Sequence, residues 1–402
     1  MKSPTAPFER SAHRLEFLDS IRGLAALAVL FSHVRNSIFV WPGNCVHWNK
    51  YPLINIAFDG PAAVAMFFVL SGFVLARPYV SGTAPPMNLP IFYTRRFIRI
   101  YFPWFCAFAF SLAFRCLVFR DYGTSPPQDP RLWHVPVVLK DVLLQCIYQL
   151  HGRAQLLPQD WSLGVELIGS ALIPLLVMLA VRPLHAMWLS ALALVSVVCV
   201  PQNVDFAGGG SYYVAFIIGV LIARHQATLV AWLKSLALSW RVLILAAGLA
   251  LYGVARLFDH LGYNGMHLGR TRWLLMSIGA GVIMLTTLSS RRLASFLTIK
   301  PIVWIGKISY SVYLLQFVVL FCLLPPAMVM FNKLGFGPSP WMFLFCLVIA
   351  FAATVVLATV FYKIVELPSI ALGHFVSAKL KKKTSTVAVP IEKKSSVGTT
   401  SL

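Results

Sequence analysis

Long apolar runs dominate the chain from about residue 20 to residue 362, separated by short stretches rich in Pro, Gly, Lys and Arg. Crossing a bilayer's hydrocarbon layer takes about 20 mostly apolar residues, and there the backbone must satisfy its own hydrogen bonds, which makes such runs helices. Ten stretches qualify: near 20–40, 61–80, 100–119, 161–181, 186–201, 210–224, 240–258, 272–289, 308–331 and 341–362. Two of them, 186–201 and 210–224, are short enough to be tilted or re-entrant. Residues 133–149 are interrupted by Lys140, Asp141 and Gln145 and read as an interfacial helix. The pattern predicts an all-α, polytopic integral membrane protein with about ten transmembrane helices.

Composition agrees. The 402 residues are 58% hydrophobic and only 12% charged, where a soluble domain carries about twice that charged fraction. Ten spans put both termini on one side of the membrane. With that side cytoplasmic, 21 of the 34 Lys and Arg fall in inside segments and 9 in outside segments. The positive-inside rule therefore predicts two cytoplasmic termini. The formal net charge of +21 is spread over short loops and the Lys379–Lys383 cluster, a distribution suited to anionic lipid headgroups and not to nucleic acid. Asp19, Arg22 and His33 break up the first apolar run, so it reads as a retained helix and not a cleaved signal. The seven cysteines show no metal spacing; Cys45 and Cys146 both fall in outside segments and could pair, although free, packed thiols suit the odd count better. Three regions result: a cytoplasmic N-terminal segment 1–14, one membrane domain 15–376 and a disordered basic tail 377–402.

Ionisable groups inside a bilayer cost on the order of 2.5–3.5 kcal/mol for Arg, Lys or Asp on insertion scales, so their positions carry information. His33 is the one histidine well inside an expected span, and Glu166 the one acidic residue. Arg22 and Arg35 flank His33, and Arg77 and Arg115 lie on the next two helices. Arg22 and His33 share one helix face about 16 Å apart along the axis, with Asp19 near enough to hold the Arg22 guanidinium. Counting from the span ends, His33 and Glu166 arrive at similar depth. An imidazole there can act as general base on a hydroxyl, with a carboxylate fixing its tautomer, while an Arg nearer the cytoplasm grips phosphate. The separation of Arg22 from His33 is comparable with an extended pantetheine arm. Taken singly, a hydrogen-bonded packing histidine or a snorkelling arginine accounts for either residue as readily.

Five stretches then carry a family likeness. Arg14–Val34 (RLEFLDSIRGLAALAVLFSHV), Phe67–Phe73 (FFVLSGF), Arg95–Pro103 (RRFIRIYFP), Trp161–Glu166 (WSLGVE) and Ile305–Leu314 (IGKISYSVYL), the last joined by the closing Tyr362–Pro368 (YKIVELP), occur in order across nearly the whole chain. Together they resemble the membrane acyltransferase-3 family, which O-acylates carbohydrates and other hydroxyl acceptors. The resemblance implies His33 as catalytic residue, Arg22 as essential to it and Glu166 as a supporting acid. It also implies Arg95, Arg96 and Arg99 near the donor's cytoplasmic entrance, where anchoring by the positive-inside rule is the competing account. Ser71 reads better as a close-packing residue beside Gly72 than as a site residue. Tyr310 and Tyr313 either line the cavity or pack. Two positions depart from the family pattern: Gln316 stands where many relatives have His, and Leu167 where many have a second acidic residue.

The expected function is transfer of an acyl group, acetyl by expectation, from cytoplasmic acyl-CoA to a hydroxyl of a sugar or lipid-linked glycan. His33 would be the general base, with an acyl-histidine intermediate as the alternative route. No metal is expected, and the expected location is a bacterial inner membrane. The rival class is a multi-pass transporter or flippase of a small solute or lipid-linked sugar. Transporters often place broken helices in two repeated halves, whereas the intramembrane charge here sits in one half.

Overall fold

The computed structural model describes residues 7–38, 52–120, 133, 136–147, 156–181, 210–261, 269, 271–337 and 339–387. Among them every regular element is helical. In chain order these are α1 (Pro7–Ile38), α2 (Pro52–Ala57), α3 (Gly60–Val80), α4 (Leu89–Leu117), α5 (Leu139–Ile147) and α6 (Asp160–Val181). After a short 3-10 turn come α7 (Tyr213–Ser235), α8 (Leu238–Tyr252), α9 (Val254–His260), α10 (Thr271–Ser289), α11 (Arg291–Leu297) and α12 (Lys300–Lys307). The last are α13 (Ser309–Cys322), α14 (Leu324–Lys333), α15 (Pro340–Phe361) and α16 (Leu367–Val387).

Among the described residues seven helices are long and apolar enough to cross a membrane, and nine if each of two bent pairs counts as one span. Those pairs are α8 with α9, bent by 76°, and α12 with α13, bent by 72°. The expected span 186–201 lies outside the described residues, and the other nine expected spans each correspond to one of these. Of the segment 133–149 expected at the interface, Leu139–Ile147 forms the short α5. Cys146 is a free thiol, and Cys45 lies outside the described residues. Large apolar side chains such as Val242, Leu243, Val348 and Val356 are exposed along α8 and α15, as lipid-facing surfaces require, with exposed Trp240 and Trp341 at helix ends.

Local chemistry starts several helices. Asp59, Asn88 and Ser339 cap α3, α4 and α15 by accepting from the backbone N–H three residues on, and each is followed by Pro in the first turn. Asp59 is also ion-paired with Arg256 at 3.4 Å, while Arg35 donates to Asn55 at 3.1 Å. The first joins the start of α3 to α9, and the second joins α1 to α2.

The centre of the bundle is α3, which packs against α1, α6, α7 and α10. Its approach to α7 needs glycine: a Cβ on Gly72 would sit 2.2 Å from the Phe216 carbonyl oxygen. Gly23 of α1 and Gly306 of α12 make a comparable backbone contact, which holds the bent α12 against the helix carrying Arg22. Small residues that let backbones approach are how membrane helices gain packing energy in the absence of a hydrophobic drive between them.

Two ends differ from expectation. The last span does not stop near residue 362. A π-turn over Tyr362–Glu366 carries it into α16, which packs against α4 and continues through the Lys379–Lys383 cluster to Val387. Residues 388–402 lie outside the described residues. The basic Arg95–Arg99 segment, which precedes the expected span 100–119, lies within the long α4, which begins already at Leu89.

Candidate active site

A cavity of about 690 Å³, its open mouth included, lies among α1, α3, α4, α6 and α13. Arg22, Arg96 and Arg99 line it together with Ser71, Glu166, Ser309 and Tyr310. Toward the other end its walls are Val64, Phe67, Ser162, Leu163 and Tyr313. Three guanidinium groups and one carboxylate give the lining a net positive charge between apolar walls.

The arginines play different parts. Arg96 donates to Glu166 Oε1 at 2.6 Å and to the Ser170 hydroxyl at 2.7 Å. The same carboxylate oxygen accepts from the Ser71 hydroxyl at 2.8 Å. Glu166 is thus the knot that ties α3, α4 and α6 at the cavity wall. Among the described residues Arg22 is ion-paired with Asp19 at the longer distance of 3.4 Å, with Asp19 about half exposed. Arg99 faces the cavity beside it. Arg95, expected at the donor entrance with Arg96 and Arg99, instead donates to Ser377 of α16 at 2.9 Å and is not among the lining residues. Tyr310 lines the cavity and donates to the Ile100 carbonyl at 2.7 Å, fixing α13 on α4.

The sequence-expected meeting of His33 and Glu166 is corrected by the packing. His33 is on α1 with its ring 4.6 Å from that of Phe317 on α13, and it is not among the residues lining the cavity. Phe317 is one turn, about 6 Å, beyond Tyr313. Tyr313 shares a 2.6 Å hydroxyl contact with Ser162, and Glu166 is another turn, about 6 Å, beyond Ser162 in the opposite direction. Glu166 and His33 are therefore offset by about 12 Å along the bundle, and α3 packs against both of their helices. Equal distance from the span ends did not translate into equal depth, because α1 begins at Pro7 and its apolar run gives no sharp origin for the count.

Two polar residues of this region were not read as site residues. Ser71 was read as packing, but Gly72 makes the close approach while Ser71 holds Glu166. Glu366 is 4% exposed, accepts from Ser311 at 2.7 Å and interacts electrostatically with Arg99 and Arg22. The signal for Glu366 was available: it is the one carboxylate in the 42-residue apolar helix Pro340–Lys381. Among the described residues no three His, Cys, Asp or Glu side chains come together in a way that could hold a metal ion.

Comparison with known families decides the class. The sequence model of an acyltransferase domain matches residues 15–363, most of the chain. The chain belongs to the acyltransferase-3 family. No curated protein and no solved structure matches it. As a member of that family with at least seven bilayer-length apolar helices among its described residues, the protein is an integral membrane acyltransferase. Arg22, Arg96, Arg99, Glu166 and the Arg22–His33 helix all fall within the matched region.

Proposed function

We propose that this acyltransferase moves an acyl group, acetyl by expectation, from cytoplasmic acyl-CoA to a hydroxyl of a sugar or lipid-linked glycan in a bacterial inner membrane, with both termini cytoplasmic. The observation that carries the reading is the cavity itself, where Arg22 and Arg99 face the open space and Arg96 is committed to Glu166. Two guanidiniums can hold the donor's phosphates in bidentate fashion. From Arg22 to His33 is about 16 Å along α1, comparable with the pantetheine arm, so a donor anchored at Arg22 would deliver its thioester toward His33.

In this reading His33 is the general base. The acceptor oxygen forms the new C–O bond, the thioester C–S bond breaks, and the hydroxyl proton passes by way of His33 to the departing thiolate, giving CoA and the ester. Glu166, with Arg96, serves as the clasp that shapes the donor cavity, and Arg95 anchors α4 to α16. A donor entering from the Arg22 end and an acceptor arriving from the other suit the 21-to-9 partition of basic residues that sets the orientation. The test is isotope transfer from labelled acetyl-CoA to envelope glycans in membranes with and without the protein, read by mass spectrometry. Label in glycan only when the protein is present is the expected result. Equal labelling in both membranes would overturn it and reopen the transporter reading.

A further inference from the structure

The cavity ends at the Ser162–Tyr313 hydroxyl pair, and directly behind that pair is a second group of polar side chains. Gln159 is 2% exposed, Asp160 2% and Gln316 0%. The two glutamine amides converge on one atom: Gln159 donates to the Tyr313 carbonyl at 3.1 Å and Gln316 donates to the same carbonyl at 3.0 Å. Gln159 donates also to the Leu314 carbonyl, and Asp160 accepts from Gln145 at 3.4 Å through its other oxygen. What remains is one buried acceptor oxygen on each, Gln159 Oε1, Asp160 Oδ1 and Gln316 Oε1, with no hydrogen-bond partner.

Their chemistry is one-sided. The other buried side-chain atoms without a hydrogen bond among the described residues are N–H donors, hydroxyls, or the Asp59 oxygen that is ion-paired with Arg256. The oxygens that can only accept and that have neither hydrogen bond nor ion pair are, among the described residues, those of Gln159, Asp160 and Gln316. A buried acceptor without a donor costs free energy, and such clusters are retained where something else supplies the hydrogen. A ligand that satisfies three acceptors must bring several O–H or N–H donors; a carboxylate or phosphate, which only accepts, finds nothing to bond. The position fits as well. Gln316 precedes Phe317, whose ring His33 touches, and Gln159 and Asp160 stand at the start of α6 just before the cavity-lining Ser162.

We propose that Gln159, Asp160 and Gln316 form the acceptor subsite, which takes the uncharged, hydroxyl-rich face of a sugar between the donor cavity and His33. This site rests on the hydroxyl-acyl transfer proposed above, and it narrows the acceptor to a neutral polyol surface. The hydroxyl to be acylated would sit near His33, while its neighbours on the ring donate to the three oxygens. The Ser162–Tyr313 pair marks the junction at which the donor's thioester and the acceptor hydroxyl would meet.

The experiment uses the full chain in phosphatidylcholine nanodiscs, with octyl glucoside and octyl glucuronide as probes below their micelle concentrations. Binding is read by tryptophan fluorescence, Trp161 being next to Asp160 in the chain. The native protein should bind the glucoside at least about tenfold more tightly than the glucuronide, whose carboxylate meets only acceptors. Asp160→Asn, which keeps shape, and Gln316→Leu should each weaken glucoside binding by about tenfold, the loss expected for one buried hydrogen bond to a polar partner. In turnover with acetyl-CoA, the same variants should raise the glucoside KM and leave the acetyl-CoA KM unchanged. No binding of either probe by the native protein would mean that these oxygens serve buried water only, and would overturn the proposal. Equal binding of both probes, or variants that raise both KM values in parallel, would do the same. Failure of the native protein to bind acetyl-CoA would instead defeat the donor reading, while the glucoside titration still decides the subsite.

Discussion

Replacing Arg96 by Gln tests whether the Arg96–Glu166 pair is a clasp or a donor grip. Glu166 Oε1 accepts from Arg96 at 2.6 Å and Ser71 at 2.8 Å, and the two ion-paired side chains are 15% and 16% exposed. Removing one partner of a buried pair strands the other and costs about 3–5 kcal/mol; with this residual exposure the low end, about 3 kcal/mol, applies. Glu166→Gln should cost a similar amount, because it strands the Arg96 cation. The double variant removes both charges and leaves two amides and the Ser71 and Ser170 hydroxyls to bond with one another. Its cost should be about 1 kcal/mol, far below the sum of the singles, as expected for residues in direct contact. Thermal unfolding in nanodiscs gives the ranking: native, then double, then the two singles. Acyl-CoA titration supplies the functional arm. The double variant should bind acyl-CoA within about threefold of native, whereas Arg99→Gln should lose about tenfold or more, as for one charge-assisted hydrogen bond. An Arg96→Gln protein as stable as native but unable to bind acyl-CoA would refute the reasoning.

Three further outcomes follow from the same geometry. Arg22→Lys keeps charge but loses the planar fork, so acyl-CoA affinity should fall while the protein still purifies as a single species; unchanged affinity would remove Arg22 from phosphate binding. Gly72→Leu places side-chain atoms against the Phe216 carbonyl, where a Cβ alone would approach to 2.2 Å, and should cost more than the usual 1–3 kcal/mol of overpacking, seen as loss of monodisperse protein. Single cysteines at positions 128 and 383 should label from opposite sides of sealed vesicles, with 383 on the cytoplasmic side; labelling of both from one side would break the topology.

The sequence made the helices legible because an apolar run of bilayer length has one structural solution. It also isolated Arg22, His33 and Glu166, because charge is rare where insertion penalises it. Lateral neighbourhood was another matter. Nothing in the run Asp160–Val181 says that Glu166 turns to Ser71 and Arg96; that follows from α3 lying next to α6 and being held to α7 by Gly72. The bend at Gly253 lies inside the expected span 240–258 and that at Ile308 at the start of the expected span 308–331, and periodicity revealed neither. Glu366 escaped because the last span was ended near 362, whereas the helix continues through a π-turn at whose end that carboxylate is buried. Arg95 and Arg99 stand one turn apart on α4, yet α16 captures the first and the cavity receives the second. No local rule separates them.

Acyl transfer by a His33→Ala protein tests the central claim most directly. His33 is on the helix of Arg22, with its ring against Phe317, one turn along α13 from the cavity-lining Tyr313, and the account makes it the base that activates the acceptor hydroxyl. The measurement is CoA release and ester formation by purified protein with acetyl-CoA and a glycan acceptor, alongside acetyl-CoA titration of the same sample. The account predicts donor binding within a few-fold of native and a loss of transfer of at least about 10²-fold, the low end for removal of a positioned general base. A well-folded His33→Ala protein that transfers acyl groups at the native rate would contradict it.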